Sequence, residues 1–160
     1  MSIIRFSLIS ACLGMGFMAS LQAAELPTCE SSVTALNNQL QQQSLPPIHD
    51  ENDLVKTLRY LQQNGRLPSR YITTQQAMYL GWSGRATDTL WGLKPTNGKW
   101  IGGDESAQHP EGNQGSWYSA DLDSYKGLRG DNRLLYSPNS AMRYISNQRT
   151  GQLTPVQPCQ

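Results

Sequence analysis

The stretch SWYSADLDSY (116–125) reads as a half-buried strand running into a turn, with Ser119, Asp121 and Asp123 alternating onto one face. The same grammar surrounds it. KWIGGD (99–104), NRLLYSP (132–138) and MRYISNQ (142–148) are short strand-like runs separated by turns containing Gly, Pro and Asn. Upstream the period changes. Val33, Leu36 and Leu40 recur at helical spacing in a Gln-rich background that SLPPIHDEN (44–52) breaks. Asp50 or Asp53 can then cap a second helix, whose Leu54, Leu58 and Leu61 share one face before Asn64 and Gly65 end it. ITTQQAMYLGW (72–82) repeats the device with Thr73 as cap and Gly81 as stop, and residues 82–97 hold no period and read as loop. Helices first and antiparallel strands afterwards predict an α+β domain.

The chain has 160 residues, enough for one modest domain. Its first two dozen residues stand apart. Arg5 precedes an apolar run from Phe6 to Met18, and SLQAAE offers small residues for cleavage near Ala23 or Ala24, the pattern of a signal peptide spanning 1–24. Export to a secreted or periplasmic location follows, with no membrane attachment after cleavage. The run is shorter than the ~20 residues of a membrane span. Cleavage removes Cys12 and leaves Cys29 and Cys159, which in an oxidising compartment most simply form one disulfide. No CxxC or neighbouring histidine marks either as catalytic.

Of thirteen basic residues only Arg5 is lost, so the processed chain balances its twelve acidic residues and carries almost no net charge. That is unusual for an avid nucleic-acid binder. Locally, however, Lys126, Arg129, Arg133, Arg143 and Arg149 face only Asp131, a patch able to hold an anion or simply a solvated strand face.

RLPSRYIT (66–73), LGW (80–82), IGGD (101–104), SWYSADLD (116–123) and GLRGDNRLLYS (127–137), in that order and with near-matching gaps, resemble the guanyl-preferring microbial ribonucleases of the barnase type. The similarity runs from about Asp53 to Ser146. It implies the microbial ribonuclease fold, with N-terminal helices packed on a C-terminal antiparallel sheet, over residues 49–160. Residues 25–48 form a helical arm and linker that this family's usual domain lacks. No cofactor or metal is implied; the implied partners are RNA or a guanine nucleotide, with a protein inhibitor as a further one, and a monomer is expected.

The family's chemistry needs a general base for the ribose 2′-hydroxyl, a general acid for the departing 5′-oxygen, and cations around the phosphorane. At the base position, where the family has glutamate, this chain has Ser119; the histidine acid falls on Gln148 or Arg149, and a supporting lysine on Thr74. An unactivated serine does not hold an abstracted proton near neutral pH, glutamine does not titrate, and arginine keeps its proton. The resemblance carries over the binding side instead. Arg129 and Arg133 match the phosphate-gripping arginines, Asp121 the acid that orients them, and Glu111 in PEG (110–112) the carboxylate that reads guanine, in a loop shorter than the family's. Trp82, Trp100 and Trp117 read as core. Asp121 and Asp123 share the face of Ser119, but two positions along a strand shift a side chain by roughly 6.5 Å. His109, beside the presumed groove, is the best substitute acid or base; His49 reads as a surface residue, and Asp104 as a tie between loops. Three functions fit: a nucleotide- or RNA-binding protein that cleaves weakly or not at all, a working endoribonuclease with a rearranged acid and base, and a protein-interaction module on a ribonuclease fold.

Overall fold

A computed structural model describes residues 25–110 and 115–160. Residues 1–24, read above as a signal peptide, and Glu111 lie outside these. Three helices, α1 (Cys29–Gln42), α2 (Glu51–Asn64) and α3 (Thr74–Tyr79), precede or flank a six-stranded sheet. Its strands are β1 (Tyr71–Ile72), β2 (Trp100–Glu105), β3 (Tyr118–Asp121), β4 (Asn132–Tyr136), β5 (Arg143–Asn147) and β6 (Leu153–Val156). They lie side by side in sequence order; β1 runs parallel to β2 and every later pair is antiparallel. This is the expected α+β ribonuclease arrangement. No helix among the described residues is long and apolar enough to cross a membrane.

The helix ends follow local chemistry. Asp50 accepts from the backbone of Asp53 at the start of α2, and Gly65 closes it at φ 65°, a left-handed conformation that costs glycine little. Thr73 forms a capping box with Gln76 on α3, satisfying two backbone donors reciprocally. Residues 82–97, read as loop, contain two short 3₁₀ turns, Leu90–Gly92 and Lys94–Thr96.

Helices α1 and α2 share one core. Val33, Leu36 and Leu40 from α1 and Leu54, Leu58 and Leu61 from α2 close over Ala120, Leu122, Leu134, Tyr136, Ile145 and Val156 from the sheet. The arm is therefore a packed layer of the domain. A disulfide joins Cys29 at its start to Cys159 at the chain's end, with Cα atoms 4.8 Å apart, as the two-thiol argument predicts. Backbone bonds from Cys29 to Gln160 and from Gln160 to Pro27 reinforce the join. A smaller cluster of Ala77, Trp82, Leu90 and Ile101 seats α3 against β2. Trp82 and Trp117 are buried and Trp100 is half-buried edge-on to Tyr71, all in packing roles.

The IGGD motif has a steric explanation. A Cβ at Gly102 would lie 2.6 Å from the Tyr71 ring and 2.9 Å from Leu67, so only glycine lets β1 approach β2. Gly103, at φ 94°, sits in the register irregularity between Gly102 and Asp104, and beyond it Asp104 pairs with Ser119.

Candidate active site

Asp121 ends β3, and its carboxylate is 1 % exposed. Burial without partners would force such a group to neutralise, so its partners define the site. Arg129, from the loop before β4, donates to it twice: Nε to Oδ2 at 2.7 Å and Nη2 to Oδ1 at 2.9 Å. Arg133, at the second position of β4 and paired across the ladder with Asp121, brings Nε within 2.8 Å of Oδ1. Nη1 of Arg133 donates to the carbonyls of Gly130 and Asn132. These bonds leave Nη1 of Arg129 and Nη2 of Arg133 without a protein acceptor among the described residues. One buried anion thus holds two cations, Arg133 buried and Arg129 half-buried, with donors to spare. The Asp121 hydrogen bonds strengthen the hold of Arg129 on its proton, while burial pushes Arg133 down from the usual guanidinium value. Both stay charged at any ordinary pH.

The two arginines border a cavity of about 230 Å³, whose wall includes Ser119, Leu135 and Gln148 together with Glu105 at the end of β2 and Ser106 and Gln108 just beyond it. Four of the residues expected at the chemistry therefore border one cavity: Ser119 at the expected base position, Gln148 at one of two expected acid positions, and the arginine pair. Gln148 and Arg149, the two candidates for the acid position, are placed differently. Gln148 faces the cavity, whereas Arg149, 77 % exposed, pairs with Asp131 at 2.7 Å. The Gln148 amide donates to Ser146 Oγ at 3.0 Å, Ser146 Oγ donates to Gln108 Oε1, and Gln108 Nε2 donates to the Gly151 carbonyl at 3.0 Å. This chain of neutral groups latches the loop after β2 to the β5–β6 turn.

Asp104 does tie elements together. Thr74, at the lysine position, donates to it through its backbone N–H, at 3.0 and 3.1 Å to the two oxygens, and through Oγ1 at 2.6 Å. His109 is exposed and lies outside the cavity lining; His49 is exposed at the foot of α2, where its N–H and that of Asp50 donate to Asp123. Sequence reasoning missed Glu105, Ser106 and Gln108 as wall residues. Their only signal was position directly after IGGD.

No family model matches the chain. Individual proteins do. It is 34 % identical over 139 residues to a ribonuclease of Bacillus intermedius, covering 82 % of each chain. It is 32 % identical over the same length to a ribonuclease of Bacillus pumilus, again with 82 % of each covered. A ribonuclease of Heyndrickxia coagulans is 38 % identical over 82 residues, 49 % of this chain and 72 % of that one. With identities of 32–34 % over most of its length and an α+β fold of the expected kind, the chain belongs to the microbial ribonuclease family.

Proposed function

We propose that this is an exported ribonuclease-family protein that binds RNA or a guanine nucleotide through Arg129 and Arg133 and cleaves RNA weakly or not at all. The observation that carries the reading is the buried Asp121 holding two guanidiniums at a cavity that Ser119 and Gln148, and no histidine among the described residues, also line. Guanidinium donors without a protein acceptor among the described residues, beside a cavity, suit a phosphate, which accepts in bidentate fashion. A hydroxyl and an amide supply hydrogen bonds to the same ligand but no proton transfer at neutral pH. Glu111 is the proposed guanine-reading residue, and His109 the remaining imidazole of the neighbouring loop.

Titration calorimetry of the processed, oxidised protein with guanosine monophosphate tests this. Binding is expected at millimolar nucleotide, weakening as salt screens the phosphate. Arg129→Ala, which removes the more exposed cation, is expected to lower affinity about tenfold or more, since hydrogen bonds to charged groups contribute about 1.5–3 kcal/mol. Absence of both heat and any shift in melting temperature at millimolar nucleotide would remove the proposal.

A further inference from the structure

We infer that Asp104, acting through one bridging water, is the proton acceptor for whatever RNA cleavage this chain retains, in place of the carboxylate missing at Ser119. The inference rests on the nucleotide-binding reading above.

Register carries it first. Asp104 on β2 is the direct ladder partner of Ser119 on β3. Facing residues of an antiparallel pair project to the same side, with Cβ atoms about 4.5–5.5 Å apart. Asp104 therefore stands one strand over from Ser119, beside the cavity and not among its lining residues, with its carboxylate held by Thr74, so the proposed contact with a bound 2′-hydroxyl is made through a bridging water.

The neighbouring carboxylates bear on it second. Asp121 is closed off by its two arginines. Glu105 borders the cavity, but its ladder partner is Tyr118, whose ring packs toward the helix-side core, so the pleat turns the two away together. Asp104 has no salt-bridge partner among the described residues. Its hydrogen bonds come from one neutral residue, Thr74, where the family's lysine would have supplied a neutralising charge. The charged and titratable groups around it are Glu105 on its own strand, Tyr118 and Asp121 on β3, Arg129 before β4, and Tyr136 on β4. Both Arg129 and Tyr136 sense its charge.

In the proposed step the 2′-hydroxyl gives its proton to the bridging water as that water gives one to Asp104. The 2′-oxygen bonds to phosphorus, the P–O5′ bond breaks, and the departing oxygen takes a proton from solvent. The hydroxide left there is neutralised by the Asp104 proton, restoring the carboxylate. With a relayed base and no side-chain acid, turnover is slow.

The test follows the pH–rate profile of a guanosine-containing RNA dinucleotide, with nucleotide binding and melting temperature measured on each variant. Wild type is expected to show slow cleavage above background that falls on acidification. Asp104→Asn should lower kcat at least tenfold and flatten that acid limb while binding persists. Thr74→Val keeps the carboxylate but removes the Oγ1 hydrogen bond that fixes its position, and should lower kcat several-fold while nucleotide binding persists. A purely structural tie would change melting temperature without moving the limb. If Asp104→Asn is folded and keeps the wild-type profile, if Thr74→Val leaves kcat unchanged, or if Glu105→Gln removes the limb instead, the assignment is overturned. Nucleotide binding with no cleavage above background also overturns it and leaves the binding proposal standing, whereas absence of nucleotide binding by wild type defeats that proposal itself.

Discussion

Asp121→Asn is expected to lower the melting temperature by roughly 10 °C or more and to abolish nucleotide binding. The carboxylate it removes is almost wholly buried, and it receives three contacts of 2.7–2.9 Å from Arg129 and Arg133. An amide in its place has one acceptor oxygen and turns an NH₂ toward guanidiniums that also offer only donors. The two cations, side-chain exposures 23 % and 10 %, would then repel each other with nothing between them. Removing one partner of a buried ion pair costs about 3–5 kcal/mol, and a domain of this size loses roughly 3–5 °C per kcal/mol. Partial exposure of Arg129 places the result toward the lower end. Scanning calorimetry with nucleotide titration reads both effects, and a variant that melts and binds like wild type would show that Asp121 organises nothing.

The disulfide carries the second large effect. Cys29 and Cys159 are separated by 130 positions, so their link constrains nearly the whole unfolded chain. Chain-entropy reasoning gives a stabilisation of up to about 5 kcal/mol, with the native helix–sheet packing unchanged. Cys29→Ala with Cys159→Ala should thus melt about 10–20 °C lower, the two buried side chains adding a smaller packing loss. The arm α1 should be affected first, because its Cys29 end is held to the C-terminus by the same join. Hydrogen exchange across residues 29–42 resolves this. Equal melting temperatures for the oxidised protein and the double variant would contradict the argument.

The parts of the fold legible in the sequence were those set by local chemistry. Caps at Asp50, Thr73 and Gly65 involve residues one to four positions apart, and β2 to β5 carry enough alternation and turn punctuation to be located. The strands β1 and β6 were not seen. Tyr71–Ile72 is two residues long and is strand only because Gly102 admits it beside β2. Leu153–Val156 contains Pro155, which an edge strand tolerates and a central strand does not. At the site, the arginine pair and its acid were readable through the family resemblance. The choice between Gln148 and Arg149 was not, since it depends on Asp131 drawing Arg149 outward, a contact across eighteen positions. The wall formed by Glu105, Ser106 and Gln108 likewise comes from tertiary approach of β2 to the β5–β6 turn.

Steady-state cleavage of a guanosine-containing RNA dinucleotide, measured for the oxidised processed protein beside the double variant Ser119→Glu with Gln148→His, tests the central claim most directly. Restoring a titratable base and acid at two positions that already line the cavity should raise the rate by about 10² or more, from a wild-type value near background. A wild-type protein that digests the substrate as fast as an ordinary member of its family, and gains nothing from the two substitutions, would contradict the account.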